Sequence, residues 1–302
     1  MPTSSNSAMA TAPESSFEER RSRGLLKDAW RRLLLSWNGR VGLVVVTLII
    51  FVAIFTPLID PYNPRIDSNL LIARQSPSLQ HLFGTDRLGR DVFRRIMHGT
   101  RISLSVGFLV VLSTNLVGIA LGLAAGYLGG TADTIIMRLL DVLLAFPSIL
   151  LAIAIVAVRG PGLGNTMVAV SIVGIPGPAR VVRSMVLSLR ERDFVVAAQM
   201  VGAPKPRIML RHILPNTLSP IIVGATLGIG GAVLFAAALG FLGLGAQPPA
   251  PEWGAMIGDG LPFLTTSPHL VFFPGMAIML TVLGFNLLGD GLRDALDPQT
   301  TL

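Results

Sequence analysis

Between Ile213 and Pro251 the chain runs 39 residues without a charged side chain. A helix crosses the roughly 30 Å of hydrocarbon in a bilayer with about 20 apolar residues, so a stretch of this kind points to a membrane rather than a soluble core. Similar stretches recur at Val41–Ile59, Ile102–Ala132, Gly160–Ala179 and Gly260–Gly289, the last interrupted only by His269. Thr134–Val158 is apolar apart from Arg138 and Asp141 near one end. Together they predict an all-α membrane protein with six transmembrane helices, over 41–60, 102–128, 134–158, 165–185, 217–242 and 270–288. Composition agrees: 51% of residues are apolar and 14% charged, against about 25% charged in soluble domains. A disordered chain and a soluble nucleic-acid binder are excluded despite the net charge of +7. The absence of cysteine excludes disulfides, thiolate catalysis and cysteine-ligated metals.

The remaining segments are organised around these spans. Residues 1–18 are rich in Ser, Thr, Ala and Pro and read as disordered. Residues 19–40 carry seven positive charges interleaved with Trp30, Leu33, Leu34, Leu35 and Trp37, the pattern of a basic amphipathic helix on a membrane surface within a tail spanning 1–40. The first span starts too late and is too long for a cleaved signal peptide. Six spans place both termini on one side. That side, with the tail, Arg138, the segment 180–216 and Arg293, holds 16 positive charges, against eight on the side of the 61–101 loop. The bias places both termini, including the tail 289–302, in the cytoplasm and leaves 61–101 outside.

Within the spans, small residues recur at every fourth position: Gly118, Gly122, Gly126 and Gly130 in the second, and Gly224, Gly228, Ala232, Ala236 and Gly240 in the fifth. Each series is a smooth ridge on one helix face, suited to internal packing or to a sliding or dimer surface. Pro147 in the third span and Pro176 and Pro178 in the fourth should kink or break their helices, either beside a pathway or as plain kinks. Arg138 and Asp141 share a helix face and are expected to pair. A carrier driven by protons or sodium would show buried acidic residues at mid-depth, and Asp141 is the one candidate. There is no G-x-x-x-x-G-K-[ST] phosphate loop, no H-E-x-x-H, and no pair of histidines at ligand spacing among the four. An intramembrane hydrolase using Asp141 and Asp290 is a remote alternative. The chain shows no energy source, cofactor site or metal site of its own.

The segment between the fourth and fifth spans carries the most information. Asp193 is placed to cap a short helix that ends at Gly202, with Pro204 beyond it. A second short helix, Pro206–Ile213, is expected to end at Pro215-Asn216. The resulting helix-turn-helix knuckle would expose Val195, Ala197, Ala198 and Val201, a small apolar face that needs a groove on another protein to bury it.

Ala197, Ala198, Gly202, His212, Leu214, Pro215 and Asn216 form an A-A-x-x-x-G…H-x-L-P-N pattern that resembles the "EAA" coupling loop of bacterial ABC importer permeases, with Val196 standing where that family has its first Glu. Phe83–Phe93 (FGTDRLGRDVF), Arg138–Pro147, Phe241–Met256 and Asn286–Pro298 resemble motifs of the permeases for dipeptides, oligopeptides, nickel and glutathione. The resemblance covers about residues 27–298. It implies a type I importer permease fold, with TM1 at 41–60, a core over 102–298 and a coupling helix in the loop 186–216. It also implies a second homologous permease, two ATPase subunits that bind ATP and Mg, and an extracytoplasmic binding protein, in a bacterial inner membrane and without nucleic acid. The chain itself would not be an enzyme. The coupling surface would be Val196, Ala197, Ala198, Gly202 and Pro204, with His212 and Asn216 bracing the knuckle by hydrogen bonds next to Leu214 and Pro215. Arg138, Asp141, Pro147, Pro176 and Pro178 are candidates for the pathway or its frame. The resemblance leaves peptide, glutathione or nickel cargo open. A carrier acting alone is the remaining rival.

Overall fold

The computed structural model describes residues 30–63 and 67–296. The chain is helical from 30 to 35, and the first half of the amphipathic helix expected over 19–40 lies outside the described residues. Ser36 then caps helix α1 (Trp37–Ile59), its side chain accepting from the Gly39 N–H at 3.0 Å. Helix α2 (Val92–Leu128) is 37 residues long, about 55 Å at 1.5 Å per residue, and so extends well beyond a bilayer core. It starts ten residues before the expected span because Asp91 caps it, accepting from the Arg94 N–H at 3.0 Å. The last ten residues of the expected 61–101 loop are therefore helical.

Where one span was expected over 134–158, two helices stand at 89° to each other: α3 (Gly130–Leu144) and α4 (Ser148–Arg159). Pro147 lies between them, at the start of α4. Proline has no N–H for the helix ladder and its ring clashes with the preceding turn, so the chain turns there instead of bending gently. The Pro176–Pro178 pair has a milder effect. Helices α5 (Leu163–Gly174) and α6 (Pro176–Leu189) are separated only at Ile175, and together form one apolar run of 27 residues. Pro176 occupies the first position of α6, where a missing N–H costs little.

Helix α7 (Asp193–Met200) is followed by a helical turn at Lys205–Arg207, a π-helical segment at Ile208–Ile213 and helix α8 (Leu214–Phe241). Pro215-Asn216 does not terminate a separate helix: Lys205–Phe241 is one run of 37 residues. The π segment explains the difference. It widens the ladder just before Pro215, where an α-helical register would set the proline ring against the carbonyl four residues earlier. Helices α9 (Trp253–Gly260) and α10 (His269–Leu296) complete the chain. Because α10 runs to Leu296, the first part of the expected 289–302 tail is helical as well.

Five helical runs are long and apolar enough to cross a membrane, and the bent α3–α4 pair passes the same test when taken together. The molecule is an all-α, multi-span membrane protein. Close packing accounts for much of its order. Gly118, Gly122 and Gly126 lie against α6, where an added Cβ would meet Pro178 Cγ, Ala179 O and Val186 Cβ at 2.6–2.7 Å. This ridge is internal packing. A second close approach had no sequence forecast. Gly42 of α1 abuts the backbone at Leu288 of α10, and Gly291 abuts Gly39. The first helix is therefore bound to the last.

Candidate functional site

The knuckle is built from the backbone outward. Arg192 occupies the N-cap position of α7 and makes no side-chain cap bond, so Asp193 is the first helical residue and not the cap. Its carboxylate still sits in the first turn, where the helix dipole favours negative charge. At the other end the Ala203 N–H donates to Ala198 O at 3.1 Å and the Gly202 N–H to Gln199 O at 3.0 Å. That pair of bonds is a Schellman motif, and it requires the left-handed backbone that Gly202 adopts at φ +76°. No atom lies within 4 Å of where a Gly202 Cβ would stand, so conformation and not crowding demands glycine here.

The structure divides the expected apolar face in two. Val195 (0% exposed) and Ala198 (8%) point inward, into a cluster with Leu123, Val182, Val186, Ile208, Ile213 and Ile221. Ala197, Val201 (84%) and Met200 (83%) point outward, joined by the partly exposed Phe194 and Val196. Phe194 and Met200 were missed as surface residues. The spacing 194, 197, 201 is the helical signal that identifies Phe194, and Met200 lies three residues after Ala197. Gly202 and Pro204 are also exposed. Leu214 packs against the inner cluster, and Pro215 is exposed. Asn216 Nδ2 donates to the backbone carbonyl of His212 at 2.7 Å, so the His212–Asn216 brace runs through the His212 main chain. The inner cluster joins α2, α6 and α8 to α7, which makes the knuckle a rigid extension of the bundle.

A cavity of about 520 Å³ lies between α2, α5, α6 and α8. Gly177 and Pro178 line it, as do Gly224 and Gly228 from the lower part of the second ridge. Ala232 of that ridge also lines it, while Ala236 packs into the core. Its polar lining is Thr114, Asn115 and Ser148, and Asn115 Nδ2 is already engaged by Val111 O at 2.9 Å. Pro147, at the α3–α4 bend, is exposed beside Ser148. Pro176 itself is buried. Arg138 and Asp141 do not pair. Asp141 Oδ1 accepts from Arg180 Nη2 at 2.6 Å, and Asp133 accepts from Arg183 at 2.5 and 2.6 Å. Arg138 is exposed and makes no ion pair among the described residues. Both carboxylates of α3 reach across to α6.

The opposite end of the molecule holds polar residues that the sequence reading left unassigned. Asp86 is buried and accepts from the Leu88 N–H at 2.8 Å, the Arg90 N–H at 2.9 Å, Arg90 Nε at 2.7 Å and Arg95. Asp60, after α1, takes two bonds of 2.6 Å from Arg94, and the guanidinium hydrogen bonds hold its carboxyl below the usual carboxylate range. Glu252 caps α9 through the Gly254 and Ala255 N–H groups, both at 2.8 Å. Its burial outweighs those bonds and raises its pKa.

A bundle of this kind, with a rigid knuckle outside the spans and a proline-broken helix beside an internal cavity, is the architecture of a membrane permease. The family model described as "Binding-protein-dependent transport system inner membrane component" matches residues 118–302. A second model, "N-terminal TM domain of oligopeptide transport permease C", matches residues 24–77. The chain belongs to the binding-protein-dependent transport system inner membrane component family. It is 54% identical over 275 residues to the dipeptide transport system permease protein DppC of Alkalihalophilus pseudofirmus, covering 90% of each chain. It is 48% identical to the glutathione transport system permease protein GsiD of Pectobacterium atrosepticum, covering 90% of this chain and 91% of that protein. Among solved structures it is similar in fold to the inward-facing MetNI methionine ABC transporter, with TM-score 0.55, 18% identity, and coverage of 68% of this chain and 97% of that one.

Proposed function

We propose that the chain is one of a pair of permease subunits that together carry a peptide across a bacterial inner membrane, driven by ATPases that grip the 193–216 segment. Its relatives are named for dipeptide and glutathione transport, and glutathione is itself a small peptide, so one cargo chemistry covers both. In this reading the bent α3–α4 pair counts as a crossing, which makes six spans and leaves both termini in the cytoplasm. An extracytoplasmic binding protein delivers cargo to the opposite end. ATP and Mg belong to the two ATPase subunits.

The observation that carries the proposal is the two-sided knuckle. Val195 and Ala198 anchor α7 to the bundle, while Phe194, Ala197, Met200 and Val201 form an apolar face that none of the described residues covers. Outside the spans such a face marks an interaction surface, and its short helix suits a groove on another protein. A helix so anchored converts closure of an ATPase pair into a rigid-body shift of α6 and α8, two of the helices that line the cavity. Alternating access then follows from two arrangements of the same packed bundle.

Gly202→Asp tests the assignment. It places a charged, β-carbon-bearing residue at φ +76° on the docking face, a backbone strain of about 1–3 kcal/mol. ATP-driven peptide uptake by the reconstituted complex should fall by more than about tenfold, with ATPase association lost and the permease still in the membrane. Normal uptake by that variant would remove the docking role of α7.

A further inference from the structure

We infer that Asn115 is a specificity residue of the cavity, its side-chain carbonyl accepting the amide N–H of a peptide bond in the cargo; this rests on the reading of the chain as a peptide permease. The cavity wall carries no charged side chain, and its three polar side chains are Thr114, Asn115 and Ser148. A neutral amide that leaves water for such a space needs a hydrogen-bond partner there. Thr114 is buried and gives its one hydroxyl proton to Ser171 O at 3.3 Å. Ser148 is exposed at the first position of α4, and its hydroxyl is held by no hydrogen bond among the described residues, so it has no fixed direction. Asn115 is held. Its Nδ2 donates to Val111 O at 2.9 Å, and both residues line the wall. A carbonyl only accepts, so the amide turns its nitrogen toward Val111 and its Oδ1 away. Oδ1 accepts no hydrogen bond among the described residues. It is an oriented, unmet acceptor on a wall that is otherwise almost wholly apolar.

The glycines of the same wall point to a ligand independently. Gly177, Gly224 and Gly231 line the cavity, and a Cβ at any of them would meet no atom within 4 Å. None of the three adopts a left-handed backbone. Packing demands glycine at Gly118, Gly122 and Gly126, and conformation demands it at Gly202. Neither demands it at these three positions, and what their missing side chains leave is room. A neutral acceptor suits a neutral donor, whereas an ammonium group would call for a carboxylate. Room, an uncharged wall and one fixed acceptor together select a feature that every peptide shares and leave its side chains unread.

The chain has no cysteine, so Ser148→Cys gives this subunit one thiol on the cavity wall. The readout, in the assembled complex, is the cargo concentration that halves methanethiosulfonate modification of that thiol. Dialanine should act at about one-fifth of the concentration required of alanyl-lactate, the factor expected of one net hydrogen bond. Alanyl-lactate is the ester isostere: it keeps both charged ends and both methyl groups and lacks only the N–H. Adding Asn115→Leu should bring the two cargoes to the same concentration, and Asn115→Asp, which keeps an oxygen in place, should preserve the preference. A merely structural role for Asn115 would not move this ratio. Where Asn115→Leu fails to assemble, Asn115→Ala provides the same comparison. Equal action of the two cargoes on the parent thiol protein, no protection by either, or a preference that survives loss of the Asn115 amide would overturn the inference. Peptide uptake by the complex without the thiol separates the two readings: uptake with no amide-over-ester preference ends this inference alone, and no ATP-driven peptide uptake ends the proposed function.

Discussion

The two ends of the bundle, around residues 60–95 and around 190–213, are stabilised by opposite means. At the first, carboxylates are met by guanidinium groups, Asp86 with Arg90 and Arg95 and Asp60 with Arg94, and by an imidazole, Asp91 with His81 at 2.8 Å. At the second, the order comes from buried Val195, Ala198, Ile208 and Ile213 and from one glycine turn. The ionic end pairs its charges within the chain, with Tyr62 Oη and Arg95 Nε the buried side-chain atoms left without a partner among the described residues. The apolar end buries one side of a short helix and exposes the other, the side proposed above to dock on an ATPase.

The largest effect expected from breaking this contrast is at Asp86. Asp86→Ala leaves two guanidinium groups buried without a counter-charge, which should cost about 3–5 kcal/mol and appear as a large drop in thermal midpoint of the purified protein. At the apolar end, the two sides of α7 should separate. Val195→Ala opens a hole in the inner cluster and should destabilise by about 1–3 kcal/mol. Val201→Ala, on the outer face, should change stability by less than about 0.5 kcal/mol while weakening ATPase association. Equal effects on unfolding from both valines would erase the inner and outer faces. The smallest effect is at Arg94. Its bond with Asp60 is partly exposed, so Arg94→Gln should cost under about 1 kcal/mol. The sign with pH follows from the lowered Asp60 pKa. The contribution is present above the unfolded carboxylate pKa and is lost as pH falls through the folded value, below about pH 4. Chemical-denaturant midpoints of wild type and Arg94→Gln should therefore converge only in acid.

Much of this architecture was legible in the chain. Long charge-free runs fix helices in a membrane because no other regular structure with open ends satisfies its backbone there. Pro147 marked the site of the α3–α4 break, and Gly202 marked the end of α7. What remained hidden depends on tertiary partners. The i,i+3 spacing of Arg138 and Asp141 suggested a local pair, but α6 brings Arg180 and Arg183 to the carboxylates of α3. An eight-residue helix rich in Val and Ala has no polar stripe to orient it, so Val195 and Ala198 looked as exposed as Ala197 and Val201. Pro215-Asn216 reads as a stop, yet the π segment absorbs the proline and lets the helix run on. The buried Asp86 cluster stayed unassigned because a run of Arg and Asp looks like a solvated loop until the chain folds back over it.

The central claim is that the outer face of α7 is covered by an ATPase subunit. Val201→Cys provides a single thiol on that face of a chain without cysteine, and its maleimide labelling can be compared in the permease alone and in the assembled importer. The account predicts rapid labelling in the permease alone and strong protection once the ATPases are bound. Equal labelling in the two states would contradict it.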